Sequence, residues 1–118
     1  MQINQTEKNK IMVTIVDRGR GCDVVKFCQE QALSQHLICD GHGTADPQVL
    51  QMLGIEHTKR DVVFSRIPET IAQEVLLQMG EYIEFYTPGN GIAFTIEEEY
   101  IGELLNPLLS KKVEGQCR

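Results

Sequence analysis

The sequence predicts one α+β domain of four short strands and two longer helices. Three observations predict it. Four runs rich in β-branched residues, IMVTIVD (11–17), HLICD (36–40), DVVFSRI (61–67) and GIAFTIE (91–97), have strand length and composition. Two stretches with apolar residues at helical spacing, 23–33 and 68–80, fall after the first and third of these runs. Turn chemistry separates them: RGRG (18–21), Gly41 with Gly43, and YTPGNG (86–91).

Each element has its own signals. Residues 1–10 are polar and form a disordered lead. In the first strand Ile11, Val13 and Ile15 alternate and suit a core-facing side. Val24, Val25, Cys28 and Ala32 recur at helical spacing after the RGRG break. The second strand ends at Gly41. Asp46 then reads as an N-cap with Pro47 at the first helical position, giving an extra short helix that Gly54 stops. EHTKR (56–60) is a charged loop before the third strand. Pro68 opens the next helix, with Ile71, Val75, Leu76 and Met79 on one face and Gly80 as its stop. In the fourth strand Ile92, Phe94 and Ile96 face one way. The tail, 98–118, is half apolar, and a short helix is expected around Leu104.

Strand–helix–strand–strand–helix–strand, with right-handed crossovers, is the ferredoxin-like βαββαβ arrangement, its helices on one face of the sheet. The other face would then show Met12, Thr14 and Val16, Val63 and Ser65, and Ala93 and Thr95. That set is too apolar for a fully solvated sheet face. Packing against identical copies is the expected solution; the competing one folds the LLNPLL segment over that face.

Composition narrows the function. The chain has 118 residues, enough to bury a core without staples, and 42% of them are hydrophobic. A net charge of -6 argues against a nucleic-acid footprint, which needs clustered Lys and Arg. No apolar run approaches the ~20 residues of a membrane helix, so no membrane insertion is expected. The N-terminal residues MQINQTEKNK carry no apolar signal-peptide core. A cytoplasmic location follows, with Cys22, Cys28, Cys39 and Cys117 read as free thiols.

IVDRGRG entering the first helix, ICDGHGTA closing the second strand, LQMLGIEHTKRDVVF running into the third, and GNGIAFTIE forming the last turn and strand occur in this order over roughly residues 11–97. In this the chain resembles the nitrogen regulatory PII family, in a PII-like branch with a shortened middle loop. The resemblance implies a cytoplasmic homotrimeric regulator with small-molecule sites in the clefts between subunits. It is non-enzymatic, with no catalytic residues, and relays its effector to an unknown protein partner through the 44–60 segment. The matching cleft residues are Gly41, His42, Gly43 and Thr44, with Gly89, Asn90 and Gly91. Glycines let a backbone approach a ligand and present N–H groups to it.

PII clefts hold adenine nucleotides, which makes one a candidate effector. Departures from the pattern argue against it. Ile92 stands where the phosphate-binding lysine is expected, and Glu97, Glu98 and Glu99 replace a basic cluster. The middle loop contains no tyrosine.

Other residues carry two readings each. Arg18 and Arg20 sit at the start of the first helix, where anions are favoured, or are solvated loop charges. Lys59 and Arg60 are further anion contacts or solvated. His42 answers to pH or an anion, or is an exposed loop histidine. Asn90 serves a turn. Cys39 and His42 are weak metal candidates, because a firm site needs two tight ligand pairs. The alternative function is a divalent-metal-binding, CutA-like trimeric module.

Overall fold

The structure, a computed structural model, describes residues 8–33, 35–42, 48, 59–87 and 89–99. Its elements are β1 (Asn9–Asp17), α1 (Gly21–Glu30), β2 (His36–His42), β3 (Lys59–Pro68), α2 (Glu69–Ile83) and β4 (Gly91–Glu97). The four strands form one sheet in the order β2-β3-β1-β4, with every neighbouring pair antiparallel. The domain is therefore α+β, and its connectivity and strand order are compatible with a ferredoxin-like fold. The short helix expected from Asp46–Pro47 and the helix expected around Leu104 lie outside the described residues. So does most of the lead, although Asn9 and Lys10 belong to β1.

The helices pack on the opposite sheet face from the one expected. One apolar cluster joins Met12, Val16, Val63 and Ile67 of the sheet to Val24, Val25, Phe27 and Cys28 of α1 and Ala72, Val75, Met79 and Ile83 of α2. Burying a side chain of this size fully contributes roughly 1.5–3 kcal/mol. Ile11 and Val13 belong to a second cluster with Ile15, Leu37, Val62, Phe64 and Ile96, and among the described residues no helical residue joins it. Strict alternation sorts a strand's residues into two sets, but both sets are apolar here. The deciding signal is polar: Thr14, Asp61 and Ser65 are buried on the helix side. Two of them take hydrogen bonds there that the second face does not supply.

Helix ends also depart from expectation. α1 stops at Glu30, and Ala32 turns into the left-handed region with φ 64°. There the Leu33 N–H returns to the Cys28 carbonyl at 3.0 Å, a Schellman closure. Ala32 is thus a cap residue and not part of the helical face. α2 runs through Gly80 to Ile83 and ends at Glu84, φ 61°. Its buried face uses Ala72, where Ile71 was expected; Ile71 is exposed.

Two substitutions test these backbone assignments. Ala32→Gly removes a left-handed Cβ and is expected to stabilise the chain by up to about 1 kcal/mol, read as a higher urea midpoint at unchanged slope. Gly91→Ala is expected to destabilise by about 3 kcal/mol or more. Gly91 has φ 140°, and a Cβ there would meet the Ile15 carbonyl oxygen at 2.4 Å.

Candidate functional site

The antiparallel order brings most of the candidate residues to one end of the sheet. β1 and β2 finish there, and β3 and β4 begin there. Register places Gly41 opposite Arg60, His42 opposite Lys59, Asp17 opposite Arg60 and Val16 opposite Gly91. The loop carrying Arg18 and Arg20 leads from the same end of β1 into α1. Gly43 and Thr44 lie outside the described residues.

Most of the candidate residues assembled there make internal contacts. Arg18 donates from Nη2 to the Gly41 carbonyl at 3.4 Å and from Nε to the Arg60 carbonyl at 3.3 Å. Its Nε also lies 3.3 Å from Asp61 Oδ1 and 3.8 Å from Asp40 Oδ1. Arg18 thus ties the end of β2 to the start of β3. Arg60 pairs with Asp17 at 2.9 Å, and Arg20 lies 3.9 Å from Asp23.

Asp61, which the sequence reading did not single out, is the centre of this end. It is 7% exposed. Its Oδ2 accepts from the backbone N–H groups of Gly19 and Gly21, both at 2.9 Å. The α1 start has no side-chain cap from its own N-cap residue, Arg20; Asp61 supplies that cap from β3. Gly21 makes room for it, since a Cβ there would sit 2.9 Å from Oδ2. An aspartate placed between a charged loop and an apolar strand was the available sequence signal.

The second glycine turn is structural as well. Asn90 donates from Nδ2 to the carbonyls of Ile83 at 3.0 Å and Glu84 at 3.1 Å, capping the end of α2. Gly89 has φ 87°, a conformation that favours glycine. Gly91 brings β4 against the backbone of β1. His42 and Lys59 remain exposed, and among the described residues neither side chain has a hydrogen-bond or ion-pair partner.

The weak metal pair is not brought together. Cys39 lies three residues before His42 in β2, so the two side chains belong to opposite faces of the sheet. Burial, with Asp40 beside it, raises the Cys39 thiol above its ordinary range and opposes the thiolate a metal needs. Among the described residues no group of three His, Cys, Asp or Glu gathers around one point. Cys22 is disulfide-bonded, contrary to the expectation of four free thiols, whereas Cys28 and Cys39 are free.

The acidic run stands at the far end of β4, about 20 Å from Gly91 at the usual strand rise. Glu97 pairs with Lys10 at 3.1 Å, and Glu98 pairs with Arg66. Within the chain these carboxylates do not crowd the glycine end. A cleft of ≈ 280 Å³ opens near them, lined by Lys10, Glu69, Ala72, Gln73, Leu76 and Thr95. None of these residues belongs to the candidate set.

A buried histidine unnoticed in the sequence ties α1 to the sheet. His36 is 2% exposed. Its Nε2 lies 2.9 Å from the Leu33 carbonyl, and its Nδ1 lies 3.2 Å from Ser65 Oγ. A carbonyl only accepts, so in the neutral ring Nε2 carries the proton and Nδ1 accepts from Ser65. Ser65 in turn accepts from the Cys28 thiol at 3.6 Å. Burial pushes the Cys28 pKa up to about 11, so the thiol stays protonated and donates.

The chain matches no protein-family model and no curated protein. The site must therefore be read from its own residues. Among the described residues no helix is long and apolar enough to cross a membrane.

Two measurements probe these networks. Arg18→Gln is expected to destabilise the chain by about 2 kcal/mol, because a buried carboxylate loses its charged partner; urea denaturation reads it. Desolvation lowers the His36 pKa from 6.5, partly offset by the Leu33 hydrogen bond. The folded state then binds fewer protons at this site than the unfolded chain. The stabilising contribution is full above 6.5 and is lost as pH falls through the folded pKa, at up to about 1.4 kcal/mol per pH unit. His36→Gln is expected to flatten stability against pH in the window just below 6.5.

Proposed function

We propose that the chain is a non-enzymatic, PII-like regulatory protein. It works as a homotrimer that binds a small effector between subunits and relays its presence to a protein partner. The supporting observation is the convergence of separate chain segments at one end of the sheet. Gly41 and His42, Lys59 and Arg60, the Arg18–Arg20 loop and the Asn90–Gly91 turn all meet there. The 44–60 segment follows β2 and runs into β3 at that end, where Arg18 holds the Gly41 and Arg60 carbonyls. An effector contacting His42 or Lys59 therefore touches the root of the segment proposed to carry the signal. The relay is a population shift, and it requires the effector to prefer one state of that segment.

The exposed margin of the second sheet face supports assembly; its centre, Ile11 and Val13, is already 0% and 6% exposed within the single chain. Ile15, Leu37, Val62, Phe64 and Ile96 surround Ile11 and Val13 on it. Ile92 and Phe94, on the same side of β4, are 54% and 40% exposed. The Arg60–Asp17 and Arg66–Glu98 pairs lie at its two ends. An apolar centre with charged margins is the anatomy of a protein interface. Ile92, in place of the expected lysine, belongs to this apolar set and supports packing over phosphate binding.

The expected native mass is three times that of the 13.3 kDa chain, measured by light scattering or native mass spectrometry. Phe94→Glu is expected to convert it to monomers, since a desolvated carboxylate at such an interface costs several kcal/mol. A thermal-shift screen with nucleotides, bicarbonate and divalent metals is expected to find a stabilising effector. His42→Ala and Lys59→Ala are expected to weaken that shift. A monomeric wild-type chain with no stabilising effector would overturn the proposal.

A further inference from the structure

The start of α1 is built as an anion cradle, and it is already full. The N–H groups of Gly19 and Gly21 converge on Asp61 Oδ2 at 2.9 Å each, while the Arg18 Nε faces Oδ1 at 3.3 Å. Gly19 holds φ 101° with nothing within 4 Å of where a Cβ would stand. Its glycine therefore serves backbone direction rather than space. Gly21 does the opposite and leaves room for the carboxylate. Together these features would suit a phosphate or carboxylate from a ligand, but both oxygens of Asp61 occupy them.

We infer that Asp61 is the protein's own anion in this cradle and determines specificity at this end of the sheet. It excludes phosphate and carboxylate groups of a bound molecule and leaves the site to neutral or cationic effectors. A second anion arriving here would meet a buried carboxylate whose donors are engaged, in surroundings that screen the repulsion weakly. Of the neighbouring cations, Lys59, without an ion-pair partner among the described residues, is exposed, where solvent screens its charge. Arg60 is held by Asp17 at 2.9 Å, and Arg20 lies 3.9 Å from Asp23. Asp17, Asp23, Asp40 and Asp61 balance Arg18, Arg20, Lys59 and Arg60 in formal charge, so the described residues at this end carry no excess positive charge to attract a polyphosphate.

The consequence for effector class rests on the reading of this end as the effector site. The filled cradle can be tested without it. Wild type and Asp61→Ala are titrated with inorganic phosphate, formate and chloride at equal ionic strength, with melting temperature as the readout. Wild type is expected to respond alike to all three salts. Asp61→Ala is expected to start less stable and to regain stability with phosphate or formate beyond the gain from chloride. Its phosphate affinity should exceed that of wild type by about tenfold or more.

Wild-type amide NMR supplies a second reading that does not depend on the variant folding. Phosphate is expected to leave the Gly19 and Gly21 resonances unmoved. Phosphate-induced shifts at those two amides in wild type would overturn the inference. So would an Asp61→Ala chain that gains no more from phosphate or formate than from chloride. Both readouts report on residues of a single chain, so failure to find a trimer or an effector leaves this result standing.

Discussion

A carboxylate buried under the start of a helix constrains much of this molecule. An uncompensated charge at the depth of Asp61 would cost several kcal/mol. The chain answers it with two backbone N–H groups and a guanidinium. Each answer positions another part. The N–H groups fix where α1 begins relative to β3, and Gly21 is the residue that permits the close approach. Arg18, drawn to Asp61, also reaches the carbonyls of Gly41 and Arg60. It thereby ties together the strand ends on either side of the 43–58 segment.

The same residue accounts for the choice of sheet face. Side chains alternate along β3, so Asp61 shares its side with Val63, Ser65 and Ile67, and Val62 and Phe64 take the other. Once Asp61 must reach the α1 start, the helix layer has to lie over the first set. Ser65 then meets His36 and Cys28 and is satisfied. On the second face these groups would stand among Ile11, Val13 and Phe64 without those partners. The apolar pattern gave equal support to both assignments, and the polar residues broke the tie.

That explains what could be read from the residues in order. β4 was legible residue for residue, because glycine marks its start and acid its end. β1, β2 and β3 were legible in position but short by two or three residues. Their outer residues, Lys10, Lys59 and Arg60 among them, lack the apolar side chains that mark a strand and join the ladder by backbone pairing. α1 was drawn too long because Ala32 has high helix propensity, yet it sits in a left-handed cap. α2 was drawn too short because Gly80 looked like a stop. The site was half legible. Turn glycines and arginines pointed to a common location, and the structure brings the described ones to one end of the sheet. Their roles depend on pairing between strands far apart in sequence, as with Arg18 and Asp61 or Asn90 and Ile83, and no local spacing encodes that.

The corrected face assignment bears on assembly. The argument for packing against copies began from Met12, Thr14, Val16, Val63, Ser65, Ala93 and Thr95, a mixed set that the helices in fact cover or border. The face without helical partners among the described residues carries Ile11, Val13, Ile15, Leu37, Val62, Phe64, Ile92, Phe94 and Ile96 instead, with Ile11 and Val13 buried within the chain and Ile92 and Phe94 exposed. It is larger in side-chain volume and contains no hydroxyl. Solvating such a surface forfeits the burial that drives association, at roughly 25 cal/mol per Å² of apolar area. An exposed phenylalanine and isoleucine on an edge strand such as β4 add the hazard of uncontrolled pairing. The proposed closed assembly of identical chains would remove both costs together, because it would cover the face and give the edge a fixed neighbour.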